Sequence, residues 1–197
     1  MAETMQMGLP GFDPPTPTDR LMFLLYPDAA TAEQIATEAC RLRESLGLRG
    51  QPLLTERFHI TLHHLGDYVG LPNDVVAKGK MAGEALKSAP FEVTFDKAVS
   101  FANRPGNNPF TLQGGEGVAA LIDFQKALGL KMAGAALKPD KQFLPHITLL
   151  YDGQVVPAQE IAPIRWTVDR FVLVQSKLGQ TQHIVLQSWD LTGAGIA

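Results

Sequence analysis

Two short stretches decide how this chain reads: His59-Ile60-Thr61-Leu62-His63-His64-Leu65-Gly66 and His146-Ile147-Thr148-Leu149-Leu150-Tyr151-Asp152-Gly153. Aligned at their first histidine, they match at His, Ile, Thr, Leu and Gly, each pair separated by the same 87 residues (146 − 59). A repeat kept in register marks a duplicated structural unit. On a β-strand, residues two apart share a face, so His and Thr of each copy project together while Ile and Leu project the other way, into a core. If a pseudo-two-fold axis relates the copies, His59, Thr61, His146 and Thr148 meet across one cleft.

Two imidazoles and two hydroxyls suit phosphodiester chemistry without a metal. A neutral imidazole removes a proton from the attacking water, and a protonated one donates to the departing ribose oxygen. The threonine hydroxyls can bond the non-bridging oxygens and stabilise charge that builds in the transition state. With a reference pKa of about 6.5, both imidazole forms coexist near neutral pH. A lone strand histidine is ordinarily a structural residue; two in identical HxTL context point to chemistry. His63 and His64 adjoin His59 and raise a metal site as an alternative. Adjacent strand residues point to opposite faces, however, and no carboxylate-rich companion motif appears, so no metal is expected. By parity His63 shares the His59 face and is expected on the rim of the cleft. His183 has no motif around it and is expected to be structural or exposed.

Working outward from the repeat, Leu21–Tyr26 is an unbroken apolar run ended by Pro27, the pattern of a central strand buried on both faces. Ile35, Ala39, Leu42 and Leu46 recur at helical spacing before Gly47, predicting a helix over 29–46 with Cys40 packed on it. Strand is predicted at 58–65, and a helix after Pro72 and Asn73 with Val75, Val76, Ala82 and Leu86 on its apolar side. The alternation of Phe91, Val93 and Phe95 with Glu92, Thr94 and Asp96 reads as a half-exposed strand, paired antiparallel with a short strand at 110–112 through a turn at 105–109. A third helix is predicted over 117–136 with Val118, Leu121, Ile122 and Leu128 inward, then strands at 146–151, near 165–175 and at 182–190. Residues 1–18, with four prolines, read as a flexible arm; 19–197 read as one domain of α+β class.

Composition bounds the function. Apolar residues make up 45% and charged ones 19%, the balance of a globular chain. Seventeen Lys and Arg against 20 Asp and Glu leave a net charge of −3, so a nucleic-acid partner must be held locally rather than by a broad basic face. The single cysteine, Cys40, can form no internal disulfide or Cys-ligated zinc site. The N-terminal stretch lacks the features of a secretory signal and no run reaches the length of a membrane span, so a cytoplasmic, membrane-free protein is expected, by default a monomer.

The paired motifs resemble those of the 2H phosphoesterase superfamily, named for two H-h-[S/T]-h motifs, and within it the bacterial and archaeal 2′-5′ RNA ligase, or RNA 2′,3′-cyclic phosphodiesterase, group. The resemblance runs from Arg20 to Leu191 and includes Phe91 entered through Pro90, Pro109-Phe110-Thr111-Leu112 and Phe171–Ser176. It implies a bilobal fold with two antiparallel sheets facing a central cleft, helices packed outside and pseudo-two-fold duplication. It implies hydrolysis of a 2′,3′-cyclic phosphate, at an RNA end or in a nucleotide, to a 2′-phosphate without a cofactor, and in some members reversible, ATP-independent 2′-5′ ligation of tRNA halves. Carried over, His59 and His146 are the acid/base pair, with His59 protonating the leaving 3′ oxygen and His146 activating water, although on sequence alone these roles are interchangeable. Thr61 and Thr148 hold the phosphate. Many members continue the second motif as HxTLxR, whereas this chain has Leu150-Tyr151-Asp152. A cation contacting substrate is then missing or comes from elsewhere, with Arg57, Arg104, Lys141 and Lys177 as candidates; Arg57 is expected to share the His59 strand face. Tyr151, Phe101 and Trp166 could stack on a base. Other readings are a phosphodiesterase for linear 2′-5′ linkages, a non-catalytic nucleotide or RNA-end binding module, and a purely structural domain. Gripping phosphate alone would favour permanently charged Arg or Lys over His and Thr.

Overall fold

Leu21–Leu25 carries no polar side chain, and in the structure all five residues are buried. A strand apolar on both faces belongs inside a sheet, and β1 (Asp19–Leu25) indeed lies between two others. The structure, a computed structural model, describes residues 15–102 and 106–193. The expected N-terminal arm lies outside the described residues as far as position 14; at its end Thr18 is tied to the sheet, donating its N–H to the Tyr68 carbonyl (2.8 Å).

The chain continues through α1 (Ala29–Ser45), β2 (Ile60–Tyr68), α2 (Asn73–Ala85), β3 (Phe91–Ser100), β4 (Asn108–Gln113), α3 (Ala119–Gly134), β5 (His146–Asp152), β6 (Gln159–Val168), β7 (Arg170–Lys177) and β8 (Gln182–Asp190). All pairings are antiparallel, in two four-stranded sheets ordered β2-β1-β7-β8 and β5-β4-β3-β6. This is the α+β, two-sheet architecture expected. Each motif strand occupies one edge of its sheet, beside the strand that precedes it through a helix: β1-α1-β2 in one lobe, β4-α3-β5 in the other.

Helix α1 starts at Asp28, whose carboxylate accepts the Thr31 N–H (2.8 Å) and hydroxyl (2.9 Å), satisfying a first-turn donor that would otherwise have no partner. It buries Thr31, Ala32, Ile35, Ala39 and Leu42. Cys40, contrary to the packed position expected of it, is exposed: it follows Ala39 by one position, about 100° around the helix and off the buried stripe. Helix α2 approaches its sheet through Gly79, Ala82 and Gly83 rather than through Val75, which stays half-exposed. Helix α3 buries Leu121, Phe124, Gln125, Leu128, Gly129 and Met132.

The run near 165–175, expected to be one strand, is two. Asp169 alone separates β6, which pairs with β3, from β7, which pairs with β1 in the other sheet. Trp166–Val174 has no Gly or Pro, and Asp169, a residue disfavoured in strands, is the local sign of the crossing between two β-prone runs. A continuous core lies beneath both sheets, joined near its centre by Phe124, Phe171 and Trp189, with Phe171 and Trp189 stacked at 4.9 Å. Among the described residues no helix is long and apolar enough to cross a membrane.

Candidate active site

Within both motifs Ile and Leu are buried while His and Thr are half-exposed, as strand parity requires: Ile60, Leu62, Ile147 and Leu149 face the core. The alternation then breaks at the same place in each copy. Thr61 pairs with Leu24 and His63 with Phe23, leaving Leu62 as an extra residue; Thr148 pairs with Thr111 and Leu150 with Phe110, leaving Leu149 extra. Leu62 and Leu149 are again 87 apart (149 − 62). A bulge at each turns the residues after it by one position. His64 and Tyr151 therefore return to the faces of Thr61 and Thr148, since their partners Met22 and Pro109 lie two residues from Leu24 and Thr111.

That shift corrects the placement of His63. Instead of lining the rim, it is fully buried, donates its Nε2–H to the Gln125 carbonyl (3.0 Å) and accepts the Asp140 N–H at Nδ1 (3.1 Å). Burial lowers its proton affinity. It pins β2 to α3 and to the loop before β5. The repeated glycines are not equivalent either. Gly66 has φ +136°, and a Cβ there would lie 2.6 Å from the Tyr68 hydroxyl, whereas Gly153 has ordinary space around it.

Each motif histidine is oriented in the same way. His59, immediately before β2, donates its Nδ1–H to the Arg57 carbonyl (2.7 Å); His146, the first residue of β5, donates its Nδ1–H to the Leu144 carbonyl (2.9 Å). A carbonyl can only accept, so a proton sits on Nδ1 in both rings, and among the described residues neither Nε2 has a hydrogen-bond partner. Each ring also meets an aromatic partner edge to face: Phe101 against His146 (5.1 Å, 87°) and His183 against His59 (5.2 Å, 75°). Thr61 and Thr148 are half-exposed, and among the described residues neither hydroxyl has a hydrogen-bond partner.

The electrostatics differ between the copies. Burial, and then the nearby Arg57 and His146 charges, lower the proton affinity of His59 against the opposing effect of the Arg57 carbonyl. His183 lies beside His59, and burial, followed by the His59 and Arg57 charges, lowers its pKa to about 4. Tyr26, raised by burial to about 12, keeps its proton and donates its O–H to Nδ1 of the neutral His183 (2.9 Å). His183 is therefore a site residue without a sequence signal, 124 positions from His59 (183 − 59).

The remaining candidates separate. Arg57 lies in a short 3-10 turn (Thr55–Arg57) before β2 rather than on the strand, and its guanidinium donates to the Thr181 carbonyl, linking the His59 and His183 segments. Lys177 is bound to Asp19 (2.6 Å), Lys141 is exposed, and Arg104 lies outside the described residues. Trp166 is core, stacked on Phe95 at 5.4 Å. Tyr151 is 46% exposed.

A profile of the 2′-5′ RNA ligase superfamily matches residues 27–180. Two solved structures of E. coli LigT, apo and complexed with 3′-AMP, are 26% identical and cover 90% of this chain and 99% of theirs, with TM-scores of 0.67 and 0.66. TT0787 of Thermus thermophilus, 24% identical over 88% of this chain and 98% of its own, has the same fold at a TM-score of 0.68. Among curated protein sequences none matches this chain.

Proposed function

The chain belongs to the 2′-5′ RNA ligase superfamily, the 2H phosphoesterases, and is an enzyme of phosphoesterase or RNA ligase type; on that premise we propose that it hydrolyses 2′,3′-cyclic phosphates, at RNA ends or in nucleotides, to 2′-phosphates with no metal, using His59 and His146 as the acid/base pair. The observation carrying this reading is the mirrored anchoring of the two imidazoles, each held at Nδ1 by the carbonyl two residues before it, with neither Nε2 bonded among the described residues. Buried His63 spends both ring nitrogens on the protein; among the described residues His59 and His146 each spend only Nδ1, and on the same backbone position.

The reaction needs one proton shared between the rings. His146, unprotonated at Nε2, takes a proton from water as its oxygen bonds to phosphorus. The bond from phosphorus to the 3′ oxygen breaks, and His59 Nε2–H delivers a proton to that oxygen. The hydroxyls of Thr61 and Thr148 donate to the non-bridging oxygens, where charge accumulates. Burial and Arg57 disfavour a proton on His59 in the free protein. A bound phosphate anion offsets both, so His59 acquires its donor form together with substrate. With the 5′-hydroxyl of a second RNA end attacking phosphorus in place of water, the same departure of the 3′ oxygen leaves a 2′-5′ linkage. That LigT is known complexed with 3′-AMP supports a nucleotide-phosphate ligand.

The test is turnover by purified protein of 2′,3′-cyclic AMP and of cyclic-phosphate-ended RNA in the presence of EDTA, with the phosphate located in the product. Formation of a 2′-phosphate is expected. A 3′-phosphate product, or activity only on a linear 2′-5′ dinucleotide, would replace this reading, and binding without product would favour the non-catalytic one.

A further inference from the structure

We propose that a cup beyond the second motif, formed by Arg49, Tyr151 and surrounding glycines, binds the penultimate nucleotide of an RNA whose cyclic phosphate lies at the histidines, which makes an oligonucleotide end rather than a mononucleotide the preferred substrate class. This rests on the cyclic-phosphodiesterase reading only for the direction in which the RNA runs.

The cup is a cavity of about 580 Å³ lined by Arg49, Gly50, Gly106, Tyr151, Asp152 and Gly153 among others, within the size range of sites that enclose small organic ligands. Its position follows from the bulge at Leu149. Plain alternation would turn Tyr151 away from Thr148, but the extra residue returns it to the motif face, three residues or roughly 10 Å further along β5. A nucleotide adjoining the reacting phosphate reaches that far. Tyr151 and Arg49 are both exposed, and the Arg49 side chain has no carboxylate partner among the described residues, so an aromatic residue and an unpaired cation line one cavity. Those groups recognise a nucleotide in single-stranded RNA, the ring stacking on a base and the cation facing a phosphodiester.

The cup is built, not incidental. Asp152 accepts N–H bonds from Arg49 (2.6 Å), Gly50 (2.7 Å) and Gln154 (2.8 Å), which hold its carboxyl below the usual range and clamp the loop after α1 to the end of β5. The clamp is close: a Cβ on Gly50 would lie 2.0 Å from the Tyr151 carbonyl oxygen, so only glycine allows Arg49 to stand beside Tyr151. Since Asp152 already holds one negative charge in the wall, the phosphodiester belongs at Arg49 and the base at Tyr151. The corresponding position of the first motif, 87 residues earlier, holds His64, whose Nε2–H is given to Asp67 (2.9 Å), so the exposed aromatic ring has no counterpart there.

Titration calorimetry with adenosine 3′-phosphate and with 3′-phosphorylated ApA tests this without turnover. The wild-type protein is expected to bind the dinucleotide on the order of tenfold more tightly. Tyr151→Ala and Arg49→Ala should each bring the ratio of the two affinities close to one, while Tyr151→Phe keeps it, showing that the ring and not merely a folded loop is required. Equal affinities in the wild type, a preference that survives both alanine variants, or no binding of either ligand overturns the proposal. An intact preference in a protein that never hydrolyses a cyclic phosphate sinks the proposed reaction and leaves the subsite standing.

Discussion

The two lobes carry the same motif on opposite floors. In the β5 lobe the cross-strand row through the motif histidine runs His146–Gln113–Lys97–Glu160, polar across all four strands. In the β2 lobe the row through the motif threonine runs Thr61–Leu24–Val172–Ser188, and beside it Met22 pairs with Val174. Met22, Leu24, Val172 and Val174 form a separate buried apolar cluster with Tyr26 packed against it. Arg57 stands where its counterpart is Leu144, and the aromatic neighbour of the histidine is His183 in one lobe and Phe101 in the other. The two imidazoles thus share an orientation while their surroundings differ, as the proposed acid and base of identical residue type would require.

Four measurements would break or sharpen that contrast. The largest effect should be common to both lobes: His59→Ala and His146→Ala are each expected to lower kcat/KM by roughly 10²–10⁴-fold without changing the unfolding temperature materially. Full activity in either variant removes the shared half of the comparison. The floors should then separate in stability. Leu24→Ala, at a fully buried position, should cost about 2–5 kcal/mol in urea unfolding, and Gln113→Ala, half-exposed, under about 1 kcal/mol; equal costs would mean that the floors are alike energetically.

A smaller effect is expected in the pH profile. If His59 must be protonated to donate, the alkaline limb of kcat/KM reports its depressed proton affinity in the free enzyme and that of kcat its value with substrate bound, so the second limb should lie at higher pH. Removing the neighbouring cation in Arg57→Gln makes a proton on His59 easier to hold and should move the kcat/KM limb upward, whereas Leu144→Gln should not move it; coincident limbs in the wild type would contradict this. The smallest effect concerns His183. Its native pKa of about 4 lies below the unfolded reference of 6.5, so the unfolded chain binds the extra proton between those values and stability falls as pH drops through that window. His183→Gln should lessen that loss, a difference readable as thermal midpoints at about pH 7 and about pH 4.5.

Much of this is legible in the chain alone. The 87-residue repeat identifies His59, Thr61, His146 and Thr148, and apolar runs locate β1, α1 and α3, because these signals are local. What cannot be read there depends on partners. The bulges at Leu62 and Leu149 exist only relative to β1 and β4, so parity puts His63 on the rim although it is buried, and the link between Tyr151 and Thr148 stays hidden. The sheet change is marked only by Asp169, a lone strand-disfavoured residue between two β-prone runs, and that these runs join different sheets depends on their partners. His183 carries no motif, and only the tertiary fold brings its ring against His59.

By itself the sequence determined which atoms are available for chemistry and that they come in two matched sets, since residue type and strand period are properties of a few consecutive positions. Tertiary structure alone decided what surrounds each set: which imidazole sits by a cation, which lies over an apolar floor and where a cup opens beside the strand. Desolvation, field and register arise between segments distant in the chain, and no short stretch encodes them.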